Sequence, residues 1–595
     1  MNGTSRDEDD RSSLDRDLLS EEGIYLQPCG RGRQSHRRGL SNRSVRMGSS
    51  TRGRGRGTSN CVIRNQPPPH FNWKPVDFLD DFDMDWFGTP QQRGVLIDTT
   101  DYQPVDYFKY FFPDQLFDLI VTNTNLYASQ FLQNQTDLGT HSRYHKWRET
   151  NSNEMQAYIA LQIAMGLNNK PELPDYWGTY WLTANTFCDI MSRNRYQLLT
   201  TFLHFCDNST RVPRGEEGYD PLFKIRQVIN IVDPRYQTAY VPDKELAIDE
   251  SMIKFKGRIF FRQYMPAKPT KWGIKTFALC ESNTGYALRF IIYTGKNTFE
   301  VDRSSKLTIT EQVCLELMRG YEDRGYQLYM DNFYSSPQLF NELKQRGVGA
   351  CGTVKHNRKF MPYDLQPSVL ALNKGDDPVF MRCQDLVTCA MMDTKRVHFL
   401  SSIHSDNTFE KIVRDRKSVG GHRTVVRPVM CDAYNDHMNG VDVLDQKLGS
   451  YSYPHKCAKW YMTIFHRIRE VALVNGYIIY CKSVPTGKKP MTAVMFREKV
   501  IDGLLDGWEM CSSKKGRPSV TEKPDRLTRR HFPAQYTDPK HRPECVVCSD
   551  RTIKKRVQTR FYCRNCGKPM CATDCFMLYH TQKIFRGAAR NNMRN

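Results

Sequence analysis

Acid is what this chain lacks. Between Glu22 and Asp77 there is no Asp or Glu, and across 595 residues 65 acids face 86 Lys and Arg. The formal charge of +21 argues against a basic partner polymer and points to an acidic one. No apolar run approaches the roughly 20 residues a helix needs to cross a bilayer, so no membrane span is expected. The opening MNGTSRDEDDRSS has no apolar centre, which excludes a secretory signal there. Without export, the 19 cysteines belong in a reducing compartment, as thiols or metal ligands rather than disulfides.

What is present divides the chain, which is too long for one core. Residues 1–68 have no hydrophobic periodicity and read as a disordered arm. The arm turns basic in RGRQSHRRGLSNRSVR and TRGRGRG, which suits nuclear targeting and phosphate contact. Residues 69–240 read as mainly helical: FPDQLFDLIVTNTNLYASQFL and NEMQAYIALQIAMGL repeat apolar residues every three or four positions. Arg193, Arg195 and Arg211 in this region are candidate phosphate contacts. From Ile248 the pattern is strand-rich. IKTFALCE and YALRFIIYTG flank an Asn-Thr-Gly turn, a hairpin signal. Thr308 with Glu311 forms a capping box ahead of EQVCLELMRGYE, a predicted helix. The runs LVTCAMM, VHFLSSIH and TVVRPVM look like short strands of an insertion, and WYMTIFHRIREVALVNGYIIY like an amphipathic helix on the sheet. KKGRP in the basic linker has the form of an AT-hook core, but the tripeptide is common by chance and a plain linker is the preferred reading.

Four acids carry candidate chemistry. Asp249 sits in an apolar strand beside Glu250, ahead of a cationic stretch containing Arg258, Arg262, Lys268, Lys271, Trp272 and Lys275. A carboxylate there can hold a hard divalent cation while the basic residues hold a polyanion. Asp331 closes the apolar run YQLYM, and Ser336-Pro337 after it reads as a helix start. Asp442 and Asp445 stand three apart and share a face if helical. Two acids from strands and one from a later helix would form a ribonuclease H-like site, holding two Mg²⁺ ions about 3.5–4 Å apart for attack at phosphate.

Several separated motifs resemble the piggyBac transposases: MSRNRYQLLTTFLHF at 191–205, FKGRIFFRQYMPAKPTKWGIK at 255–275, MDNFYSS at 330–336, ACGTV at 350–354 and NGVDVLDQ at 439–446. The resemblance implies that Asp249, Asp331 and Asp442 are catalytic aspartates and Asp445 a further acidic position of that motif. It sets Trp460 in the active-site region and gives the helical region to dimerisation and transposon-end binding. The basic arm departs from the acidic tail common in the family.

Six cysteines fall within 31 residues: Cys545, Cys548, Cys563, Cys566, Cys571 and Cys575, followed by His580. Their short paired spacings suit two tetrahedral Zn²⁺ ions, which need eight ligands. For the eighth, His531 is preferred over His541 because its Arg-His-Phe setting resembles the family's. By resemblance this is a cross-brace DNA-binding finger, with Lys554, Lys555 and Arg556 suited to phosphate.

The expected fold is α/β: a ribonuclease H-like catalytic core with a β-rich insertion, preceded by a mainly helical domain and followed by a small cross-brace zinc finger. The expected boundaries are 69–240 helical, 241–355 core, 356–435 insertion, 436–505 core, 506–540 linker and 541–595 finger. The expected function is cut-and-paste DNA transposition at TTAA sites, by a nuclear homodimer with two Mg²⁺ and two Zn²⁺. The alternatives are a domesticated DNA-binding protein without mobilising activity and a chromatin or ubiquitin-pathway adaptor led by the finger.

Overall fold

Apolar residues at helical spacing wind the segment before Tyr240 into five main helices: α1 Pro104–Phe111, α2 Asp114–Asn134, α3 Ser152–Leu167, α4 Arg193–Phe202 and α5 Phe223–Ala239. Phe112-Pro113 separates the first two, since a proline disfavours helix at the residue before it. Asn151 caps α3 through the Glu154 N–H at 2.9 Å. Eleven residues of α3, on every side, are buried, so it is a central helix rather than a surface one. The computed structural model describes residues 71–76, 93–135, 138–180, 186–266, 268–295, 298–299, 307–414, 420–508, 525–527, 530–550, 555–582 and 585. The basic arm, KKGRP and Lys554 lie outside them.

After the helices comes a ten-stranded mixed sheet. Its strands are β1 Glu245–Lys254, β2 Arg262–Tyr264, β3 Trp272–Glu281, β4 Ala287–Ile292, β5 Gln327–Met330, β6 Gly349–Thr353, β7 Val379–Cys383, β8 Leu386–Met392 and β9 Arg396–Ser401, with Lys74–Pro75 at one edge. The order is β4-β3-β1-β5-β6-β9-β8-β7, and β2 shares the outer edge of β3 with β4. β1–β5 and β5–β6 are parallel, and the other neighbours are antiparallel. Parallel pairing needs crossovers, supplied by α6 Ile309–Met318 before β5 and α7 Pro337–Gln345 before β6. The expected hairpin is β3–β4, and the Thr308–Glu311 capping box starts α6. Ser336 caps α7 through the Leu339 N–H at 3.0 Å, with Pro337 first in the helix.

The strands of the expected insertion, β7–β9, extend the same sheet, since β9 pairs with β6 at Phe399↔Thr353, Leu400↔Gly352 and Ser401↔Cys351. Only β10 Thr408–Arg414 and β11 His422–Pro428 stand apart, as a two-stranded ribbon. Helices α8 Val429–His437, α9 Gly440–Ser450, α10 Trp460–Ser483 and α11 Ala493–Leu504 close the unit. Leu246, Ile248 and Ile274 of the sheet share one core with Phe108, Ile159, Phe465 and Ile468 of the helices, each fully or nearly fully buried. Each such side chain contributes about 1.5–3 kcal/mol of burial free energy.

Residues 510–595 form a second compact unit. In it, β12 Pro533–Gln535 pairs with β13 Phe561–Cys563, and α12 Asp574–Thr581 follows. The module therefore starts ahead of 541, because the stretch expected as linker supplies one of its strands. Its core is small: the cysteines with Val547, Met570 and Leu578.

Candidate active site

Three elements carry three carboxylates, and the charge of Asp249 is felt by the other two. Asp249 lies mid-strand in β1, Asp331 directly follows β5, and Asp442 stands in the first turn of α9. Parallel pairing of Ile248 with Met330 puts Asp249 and Asp331 at neighbouring positions along adjacent strands. Past β5 the chain turns sharply: Asp331 Oδ1 accepts the Phe333 N–H at 2.8 Å, and its carbonyl accepts the Ser335 hydroxyl at 2.9 Å. β6 passes close to that turn only because residue 352 is glycine, since a Cβ there would lie 2.3 Å from the Met330 carbonyl oxygen. A second glycine seats α9. A Cβ on Gly440 would lie 3.0 Å from the Glu281 carbonyl oxygen and 3.1 Å from Ser282 Cα.

The electrostatics are those of acids short of positive charge. Burial pushes Asp249 up to about 6, against the pull of Lys268. Burial also raises Asp331 and Asp442, and the Asp249 charge adds to both. Lys268 Nζ donates to Asp249 Oδ2 at 3.2 Å and to the Glu250 carbonyl at 3.0 Å. Asp331 and Asp442 each feel the charge of Asp249, and partly buried carboxylates are the kind of donor a hard divalent cation takes.

Asp445 is different. Its Oδ1 accepts from Ser251 Oγ at 2.7 Å and from Arg467 Nη2 at 2.5 Å. Its charge is matched within the protein by Arg467. Arg467 and Ser251 carried no spacing signal and escaped the sequence reading.

Two expected phosphate contacts are occupied elsewhere. Arg195 is buried and grips Glu154 through Nε at 2.8 Å and Nη2 at 2.5 Å, with its guanidinium over Trp147. A buried pair of this kind holds α4 against α3 and leaves no charge for phosphate. Lys275 pairs with Glu250 at 3.1 Å and lies over the rings of Phe277 and Phe333. Arg193, Arg258, Lys271, Lys555 and Arg556 are exposed, Arg556 with Glu544 at 3.4 Å, and Arg262 lies over Trp272. Arg258 and Arg262 help line a cleft of about 600 Å³ with Arg211, Arg214, Lys224, Phe260 and Trp460. Arg214 sits over the Phe260 ring. Five cations among aromatics match the composition of a nucleic-acid groove. Arg214 and Lys224 join it from the helical region, which sequence spacing did not indicate.

In the second unit, two ligand sets assemble. Cys545, Cys548, Cys571 and Cys575 form one, and His531, Cys563, Cys566 and His580 the other, with ligand atoms in each within 4.8 Å of one another. The Cys548–Cys571 sulfur separation of 3.8 Å is that expected across a tetrahedral ion with bonds near 2.3 Å. His531 supplies the eighth position, while His541 packs edge-on against Tyr536.

The fold is of the transposase type, and the family supports a nuclease-type enzyme. The profile of the family described as Transposase IS4 matches residues 103–477, which contain all three acids. The chain belongs to that family, in its piggyBac branch, and the family implies use of a divalent metal. It is similar to human PiggyBac transposable element-derived protein 3, 23% identical over 487 residues that cover 80% of this chain and 76% of the relative. Human PiggyBac transposable element-derived protein 2 is 22% identical over 422 residues, 69% of this chain and 67% of the relative. Among solved structures, a piggyBac transposase synaptic complex with hairpin DNA has the same fold, with a TM-score of 0.61, 23% identity and coverage of 81% of this chain and 98% of that one.

Proposed function

We propose that this chain is a cut-and-paste DNA transposase that cleaves and transfers strands at transposon ends and joins them into TTAA sites. The observation that carries this reading is that Asp249 and Asp331 stand at neighbouring positions on adjacent strands, and that burial and the Asp249 charge raise both Asp331 and Asp442. The order β4-β3-β1-β5-β6, antiparallel then parallel, supports a ribonuclease H-like core beneath them. Two Mg²⁺ ions, when bound, would activate the attacking oxygen and stabilise the leaving one. Asp249, Asp331 and Asp442 would hold them, Asp445 would keep Arg467 and Ser251 in register beside them, and the cationic cleft would hold DNA. The Cys₄ and Cys₂His₂ sets suit structural Zn²⁺ and, with Lys555 and Arg556, a DNA-binding finger. Pairing of two ends calls for at least a homodimer, and the basic arm for nuclear entry.

The relatives' names, transposable element-derived proteins, favour one second reading: a DNA-binding protein that no longer mobilises anything. An excision assay in cells separates the two. Loss of an element bounded by the chain's own terminal repeats, with the TTAA restored, is expected. Bound ends without excision would leave the second reading.

A further inference from the structure

Three acids of this region have a cation beside them, and the pairs are unequal. Glu250 holds Lys275 and Asp445 holds Arg467, and neither of those acids belongs to the trio. Among the described residues Lys268 is the cation paired with a trio member, with Nζ 3.2 Å from Asp249 Oδ2, while Lys355 acts on Asp331 from further off. The Lys268 charge also acts on Asp331 and Asp442, so it is the shared counterion of all three. A hard divalent ion needs carboxylate oxygens at about 2.0–2.1 Å, a place the ammonium cannot share. Lysine is a compact charge on a flexible stem. Here it sits on a turn closed by the Met265 N–H on the Lys271 carbonyl at 2.8 Å, and its side chain is 29% exposed.

We propose that Lys268 guards the metal-free site and is handed over to the DNA: it occupies Asp249 until a divalent ion displaces it, then moves onto the phosphate being cut. This rests on the metal-dependent reading of the trio. In the metal-free protein the lysine relieves repulsion among the acids and so lowers their apparent affinity for the ion. With the ion in place, Asp249 no longer needs the lysine, and the phosphate is the anion that arrives.

The test uses the full-length chain with its zinc retained and no chelator. Mn²⁺ is titrated without DNA and followed by the EPR signal of the free ion. Lys268→Gln is expected to bind Mn²⁺ roughly tenfold tighter than wild type, because a positive charge is removed beside the site. Equal or weaker binding, or no binding by either protein, overturns the guard. At saturating Mn²⁺, Lys268→Gln is expected to cut an end-bearing duplex about a hundredfold more slowly, with partial recovery in Lys268→Arg. Undiminished cutting overturns the hand-over. Asp249→Asn is the separate control. If it binds Mn²⁺ as wild type does, the trio is not the metal site, and the failure lies with the functional reading. Thermal melting of each variant confirms that it is folded.

Discussion

Asp249 and Asp445 carry the same functional group a few residues from the same strand surface, and their neighbours give them different work. Asp445 has a guanidinium at 2.5 Å, whereas Asp249 has burial and a more distant ammonium. The folded, metal-free protein therefore holds Asp249 up at about 6, above its ordinary value, and takes up a proton that the unfolded chain does not. Its contribution to stability falls as pH rises through that window and recovers as pH drops towards 4. Without divalent metal, Asp249→Asn should melt higher than wild type at pH 7, with the gap closing towards pH 4. Melting curves across that range check it, and Mg²⁺ binding by wild type should weaken as pH falls below about 6. Asp445→Asn should instead destabilise by about 1 kcal/mol, since a charge-assisted hydrogen bond is weakened beside a half-buried Arg467. It should slow cleavage less than a change at any of the trio, which parallel denaturation and nicking measurements would show.

At the scale of elements, the geometry depends on close approaches. α9 can lie against the β3 end because Gly440 has no side chain, and Gly285 of the following turn, at φ +68°, approaches the same helix at Val443 and Leu444. Gly440→Ala should lift the first turn of α9, displace Asp442, and cost about 1–3 kcal/mol of stability. Cleavage should fall at least tenfold while zinc content stays unchanged, as metal analysis and a nicking assay can verify. Much of this layout is legible in the chain because its signals are local. The β3–β4 turn, the Thr308–Glu311 box, Ser336-Pro337 and the apolar strand ahead of Asp331 are all read within a few residues. What escaped depends on distant partners. β9 joins β6 across some fifty residues of sequence, so VHFLSSIH looks like part of an insertion until Phe399 is set against Thr353. Arg195 looks like a surface arginine of α4 until Glu154 of α3 reaches it. Asp445 shows no sign of its Arg467 partner, which lies 22 residues further along the chain.

For the whole molecule, the two units make separate claims. Full-length protein should contain two zinc ions per chain. His531→Ala should reduce that to one, while His541→Ala leaves it at two, by metal analysis after dialysis. A chelator should unfold residues 510–595 without abolishing the main melting transition, since that unit's small core is built around its cysteines. The larger unit carries the central claim, that three aspartates from β1, the end of β5 and α9 form one metal-dependent cutting centre. Nicking of a duplex bearing the element's own terminal repeat, in Mg²⁺, by wild type and Asp331→Asn is its most direct test. Asparagine keeps the shape and removes the charge, so the account predicts normal binding of the duplex and no detectable cleavage by the variant. Cleavage by Asp331→Asn at the wild-type rate would contradict it.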